Sequence, residues 1–310
     1  MIDDSTQYIA RISYGKDSLK MLDVIHSRGL PLDRITTTEV WATDTISANL
    51  PPMQDFKERM DQWIWDRYRI EVEHLCAVNP DGSKRTYEQM FYHVPKRKNK
   101  VSLDGKPLGF PIVGGPWCQS ALKKSRQDAV GVRINGFPDM ISPWCRKMKI
   151  DKVKTPGFVA DTVEYIGIAA DEPKRFGQLS DTKRAPLVEF GIEEELCWLY
   201  CKHEGILSPA YDIGFRDGCW FCHNQGIDQL RNLWAKYPDL WQILLKWDKD
   251  SPVSFKADGH TVRDFDKRFR LEAEGLVPSG RGFRWAMLEK PPKFVAWEAE
   301  QISLFWRDNG

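Results

Sequence analysis

Apolar residues in the first half of the chain fall into short runs separated by stretches of helical period. Residues 8–13, 39–43, 70–77 and 162–170 read as strands. After the first, Leu19, Met21, Leu22, Val24 and Ile25 give a helical pattern that stops at Gly29. Pro52 opens a second helix, with Met53, Phe56, Met60, Trp63 and Ile64 recurring at helical spacing. This alternation predicts an α/β fold: an open, mostly parallel sheet with helices on both faces. A helix over 193–203 follows, with Ile192, Leu196, Leu199 and Tyr200 as its buried stripe and Cys197 and Cys201 at its edge. Beyond Cys222 the pattern is helical on both sides of Pro238. The expected division is an α/β domain over 1–191 and a smaller helical, cysteine-containing region over 192–310.

Composition narrows the picture. With 310 residues the chain is long enough to bury a core, and a formal charge of +1 demands no polyanionic partner. The start, Met1-Ile2-Asp3-Asp4-Ser5, lacks a secretory pattern, and no apolar run reaches the ~18 residues of a membrane span. A cytoplasmic protein with no membrane contact is expected. Seven cysteines then read as thiols or metal ligands rather than disulfides, and several of the thirteen tryptophans flank them.

The strongest local signal is Ser13-Tyr14-Gly15-Lys16-Asp17-Ser18, between the first strand and the first helix. A small turn at that junction aims backbone N–H groups and the helix dipole at an anion. Lys16 adds a full positive charge, the hydroxyls of Ser13 and Ser18 can bond phosphate oxygens, and Asp17 and Ser18 suit a helix N-cap. The spacing is not that of Walker A. Thr43-Asp44-Thr45 falls at the end of the second predicted strand, where ligands sit in open parallel sheets. An ordinary turn aspartate is the competing reading of Asp44.

Further along, Gly109-Phe110-Pro111 precedes Trp117-Cys118, and Gly136-Phe137-Pro138 precedes Trp144-Cys145 at the same spacing. Identical residues at fixed spacing predict a repeated element. Tyr165-Ile166-Gly167-Ile168-Ala169-Ala170-Asp171-Glu172 ends a strand on two acids, with Arg175 three residues later. Acids beside a phosphate loop suit Mg²⁺, and an arginine there suits a phosphate or sulfate. Cys219-Trp220-Phe221-Cys222 can place two sulfurs on one metal, a redox dithiol or two buried thiols being the alternatives. Cys118 and Cys145 are the best supply of a second pair, giving an expected metal set of Cys118, Cys145, Cys219 and Cys222. The basic loop around Pro95-Lys96-Arg97-Lys98 and the segment 278–285 read as solvated surface, with nucleic-acid contact as the functional alternative.

The Ser13 to Ser18 loop resembles the pyrophosphate loop Ser-Gly-Gly-Lys-Asp-Ser of the adenine-nucleotide alpha-hydrolase (PP-loop ATP pyrophosphatase) superfamily, with Tyr14 in place of the middle glycine. The Trp-Cys elements, the Gly-Ile-Ala-Ala-Asp-Glu strand end and Arg184-Ala185-Pro186-Leu187 are similar to phosphoadenosine phosphosulfate (PAPS) reductase-like members. The resemblance implies ATP or PAPS bound by Ser13, Tyr14, Gly15, Lys16, Asp17, Ser18, Asp44, Asp171 and Glu172, with Lys16, Asp17 and Arg175 in catalytic roles. It also implies Mg²⁺ with the nucleotide and a [4Fe-4S] cluster, or alternatively Zn²⁺, on the cysteines. The late Glu-Cys-Gly-Leu-His segment of sulfonucleotide reductases has no counterpart, since no cysteine follows Cys222. Three readings follow. One is ATP cleavage at the α-phosphate to activate a substrate, with a nucleic acid or a sulfur-donor protein as partner. The second is a thiol-dependent reductase, and the third a nucleotide-binding interaction protein without turnover.

Overall fold

The computed structural model describes residues 6–95, 105–112, 116–124, 162–179, 182–211 and 218–289. By its own compactness the chain forms two units, Met1–Cys222 and His223–Gly310. The first is built on five parallel strands: β1 (Gln7–Ile12), β2 (Arg34–Glu39), β3 (Val72–Cys76), β4 (Thr162–Ile166) and β5 (Lys183–Arg184). Their order is β3-β2-β1-β4-β5, so β1 is central and the order reverses beside it. Ile12 pairs with Thr37 on one side, and Arg11 with Ile166 on the other. An ion pair from Arg11 to Glu164 ties β1 to β4.

The helices are α1 (Lys16–Ser27), α2 (Pro51–Tyr68), α3 (Tyr87–Phe91), α4 (Pro173–Phe176), α5 (Pro186–Glu189) and α6 (Glu194–His203). Alternation along β1 sends Ala10 and Ile12 into a core shared with Leu19 and Leu22 of α1, Phe56 and Met60 of α2, and Cys197 and Cys201 of α6. Ile9 points the opposite way and packs with Leu75. The parallel α/β sheet expected from the alternating pattern is therefore present.

Two expectations are corrected. The second strand is Arg34–Glu39 rather than 39–43, because the β-branched run Ile35-Thr36-Thr37-Thr38 carries the pairing. Residues 41–47 form a turn closed by a bridge between Trp41 and Ser47. On α6 the apolar stripe is shifted: Ile192 and Tyr200 are half-buried against the core and Cys197 and Cys201 fully buried, whereas Leu196 is 52% and Leu199 47% exposed. This helix packs on α1, and the first compact unit extends to Cys222.

The second unit holds α7 (Ile227–Lys236), α8 (Pro238–Asp250) and α9 (Val262–Ala273). Asp248, buried in α8, accepts from the backbone of Val262 at 2.8 Å and from Arg263 Nε at 2.8 Å, anchoring the start of α9. Thr261 and Asp264 complete a reciprocal cap there. Segment 278–285 is not a loose basic tail: Phe283 and Leu288 are buried with Val277, and the Trp285 ring stacks on His260 at 3.7 Å. The basic residues 96–104 lie outside the described residues.

Candidate functional site

The turn from β1 to α1 takes its shape from its own backbone and from β4. Tyr14 adopts φ 60°, the left-handed region, and Gly15 then serves as the N-cap in extended conformation. Neither Asp17 nor Ser18 caps the helix. The Ser18 hydroxyl instead donates to the Gly15 carbonyl at 2.8 Å and accepts from the Ser13 amide at 3.3 Å, holding the turn closed. Gly167, just past β4, allows the next strand to approach: a Cβ there would lie 2.9 Å from the Ser18 backbone nitrogen. Helix α1 thus begins at the point where the strand order reverses, the position that receives ligands in open parallel sheets.

Tyr14 does not line the turn. Its ring is fully buried, and its hydroxyl donates to Asp61 Oδ1 of α2 at 2.5 Å. Asp61 Oδ2 accepts from His74 Nε2 at 2.8 Å, and His74 Nδ1 lies 2.9 Å from Glu39 Oε1. These two carboxylates push His74 up to about 9, so the imidazolium is the neutral-pH form and both ring nitrogens donate. Burial, then Asp61, drives the Tyr14 phenol well above its ordinary range. A buried anchor therefore occupies the position where the pyrophosphate loop that this turn resembles has a glycine.

Lys16, the full positive charge of the turn, is only 7% exposed. Its ammonium contacts Glu194 Oε1 at 2.5 Å and Asp17 Oδ1 at 3.1 Å. Burial works against the charge, but the hydrogen bond to Glu194 and the charge of Asp17 outweigh it and raise Lys16. Asp171 Oδ1 accepts from the Glu194 backbone at 3.1 Å and so fixes the first turn of α6, which carries Glu194 to the lysine. The Asp17 carboxyl is raised, first by burial and further by Glu194 and Glu172, against the pull of Lys16. Glu172 in turn holds Arg175 at 2.6 Å. Lys16, Asp17 and Asp171 are thus joined through Glu194, with the Glu172–Arg175 pair within electrostatic reach of Asp17, whereas Asp44 stands exposed on the 41–47 turn.

Three of the four expected metal cysteines share one neighbourhood. Cys118, Cys219 and Cys222 all act electrostatically on the buried phenol of Tyr87, and burial pushes the Cys118 thiol up to about 12. Trp117 stacks on Tyr87 at 5.0 Å and Phe221 lies 4.1 Å away. The first copy of the repeat has a physical reason, because the Trp117 indole donates to the Gly109 carbonyl at 3.2 Å and Gly109 adopts φ 65°. The Cys219 turn is pinned from Trp220, whose amide and indole donate to Ala48 and Ser47 carbonyls at 2.9 and 3.0 Å. Cys145 and the second copy lie outside the described residues. Among the described residues, which exclude Cys145, no group of three or more His, Cys, Asp or Glu is arranged to hold a metal ion.

Between the turn and the cysteines lies a cleft of about 170 Å³ at the carboxyl ends of β1 and β2. Ser13, Thr38, Asn49, Lys57, Lys123 and Cys219 are on its walls. Sequence reasoning missed Lys57, Asp61, His74 and Glu194. Lys57 was detectable, since it falls in the buried stripe Met53, Phe56, Met60, Ile64, where a charge requires a reason. Glu194 gave no signal, because a carboxylate in the first turn of a helix is ordinary. Comparison of the chain with protein-family models, curated proteins and solved structures returned no match in any of the three.

Proposed function

We propose that the chain is a PAPS reductase-like PP-loop enzyme that binds an adenine nucleotide at the β1–α1 turn and cleaves ATP at the α-phosphate to activate a second substrate. The observation that carries this reading is the buried Lys16 ammonium at the first position of α1, beside the central strand and at the reversal of strand order. A polyphosphate at the turn meets the Gly15 to Ser18 backbone at the positive end of the helix dipole. Lys16 would exchange Glu194 for the phosphate, and the same ammonium would stabilise charge that develops as pyrophosphate leaves. Mg²⁺ would enter as part of the ATP substrate, held chiefly by its phosphates, with Asp17 or Glu172 as the nearby carboxylates. No step runs through an iron–sulfur cluster or zinc. Transfer of sulfur from a donor protein to the adenylated substrate, with AMP as the group displaced, and onto an acceptor that includes nucleic acid, belongs to this proposal.

One observation favours a second reading, reduction of a sulfonucleotide: Cys219 stands in the wall of the cleft beside the turn. The two separate cleanly. Pure protein is incubated with α-labelled ATP and, separately, with PAPS, while pyrophosphate and sulfite are assayed. Pyrophosphate lost in Lys16→Met supports the first reading, and sulfite lost in Cys219→Ser supports the second. Neither product, together with unaltered ATP affinity in Lys16→Met, would remove the nucleotide from this turn.

A further inference from the structure

The cleft beyond the turn has a charge pattern that nucleotide binding at Ser13 to Ser18 does not use. Lys57 and Lys123 are both on its walls, and among the described lining residues there is no carboxylate. Lys57 is 8% exposed on the core-facing side of α2, where an ammonium is costly unless it has a partner. Asn49 Oδ1 accepts from it at 2.8 Å, and its Nζ lies 5.4 Å from the centre of the Tyr14 ring, a favourable face for a cation. Lys123 comes from the helical segment Gln119–Lys124. The Cys219 thiol, half-buried in the same wall, is raised chiefly by burial, with the charges of Lys123 and Lys57 pulling the other way. Hydroxyls of Ser13, Thr37 and Thr38 supply neutral donors on the β1 and β2 side.

Size and position choose the ligand class. About 170 Å³ is the share of only a few water molecules and lies below the roughly 300 Å³ at which pockets begin to enclose a drug-sized ligand. A single tetrahedral group fits; a whole nucleotide does not. Ser13 alone of the six turn residues lines the cleft, so the remainder of the turn stays available to the polyphosphate.

We propose that this cleft is an oxyanion site that receives a phosphate- or sulfate-like group of the second substrate, with Lys57 and Lys123 supplying the charge and Asn49 positioning Lys57. The proposal rests on the nucleotide occupying the β1–α1 turn. It gives the second substrate a chemical class, an anion carrying a tetrahedral oxygen-rich head, brought next to Cys219.

The test uses the full chain and two probes, inorganic phosphate and inorganic sulfate, titrated calorimetrically with and without a saturating non-hydrolysable ATP analogue. Alkylation of Cys219 by iodoacetamide, followed by peptide mass spectrometry, reports occupancy independently. Expected are anion binding and protection of Cys219 that persist with the analogue and in Lys16→Met. Lys57→Met and Lys123→Met should each weaken binding by on the order of tenfold, the loss of one charge-assisted contact. Both replacements remove a charge without shortening the side chain much, and matched melting curves confirm the fold. Anion binding abolished by the analogue would make the cleft part of the nucleotide's own site and overturn the proposal. Unchanged binding in the double variant, or no protection of Cys219, would do the same. Loss of ATP binding in the wild type with anion binding intact would instead defeat the nucleotide reading alone.

Discussion

The Tyr14 hydroxyl donates to Asp61 Oδ1 at 2.5 Å, which fastens the left-handed residue of the β1–α1 turn to the middle of α2. The ring therefore acts from below the turn, through the core. Tyr14→Gly would keep φ 60° without strain but empty a fully buried ring site. A loss of about 3–5 kcal/mol is expected, as for other large-to-small core changes. Tyr14→Phe keeps the ring and leaves Asp61 short of a donor, costing about 1–3 kcal/mol. Urea denaturation of both variants checks the order; a Tyr14→Gly protein as stable as the wild type would place the ring outside the core.

Stability should fall in alkali because of His74. Its folded-state value is raised to about 9 from 6.5, so its contribution is fully present below about pH 6.5 and is lost as pH rises through 9. Glu39 is held below the usual carboxylate range, chiefly by the same histidine, so the pair also weakens in acid as Glu39 protonates. Melting temperatures from pH 6.5 to 9.5 should drop in the wild type, by roughly 2–6 °C for a loss of one or two kcal/mol. His74→Gln should flatten that slope. An equal slope in both proteins would show that the ring is not the titrating group.

Glu194 competes with any phosphate for the Lys16 ammonium, since both require the same donor. Glu194→Gln should therefore tighten ATP binding, by about threefold to tenfold, as the neutral amide gives up the lysine more readily. Lys16→Ala should do the opposite and also destabilise the fold, because the residue is buried and its removal leaves Asp17 facing other carboxylates. Calorimetry on the two variants decides. Weaker binding in Glu194→Gln would mean that the glutamate assists the ligand.

Cys197 and Cys201 lie under the turn, and burial pushes each thiol up to about 12. At pH 8.5 both should resist iodoacetamide in the native protein and react in guanidinium, since the thiolate is the reactive species. Site-resolved mass spectrometry reads this directly. Prompt native labelling of either would show that α6 leaves α1 on the labelling timescale.

Alternating periodicity made the parallel sheet legible, because β1 and β3 carry apolar residues in strand-length runs and α2 a long helical stripe. The two-residue β5 was not legible, for it has no hydrophobic pattern and exists by pairing with Glu164 and Tyr165. The second strand was misplaced because its threonines read as polar although Thr36 and Thr37 are buried. On α6 a cysteine counted as marginal and a leucine as core, and the packing against α1 reversed both. The turn from Ser13 to Ser18 was found by its residue types, but its true constraints come from distant chain: Asp61 beneath, Gly167 beside and Glu194 above. None of these separations leaves a local trace.

The contact at Gly167 has a consequence for the order of events in folding. The strand beside β1 on that side is β4, which begins at Thr162, about 150 residues of chain after β1 ends. Closing so long a loop is slow relative to forming β1, α1 and β2, whose contacts are local. The nascent chain can therefore build three adjacent strands and the helix early, while the wall against which Ser18 rests arrives only when β4 docks. The geometry on which the proposed anion binding rests is thus a late property of the maturing protein, and a fragment ending before β4 would possess the sequence of the loop without that geometry.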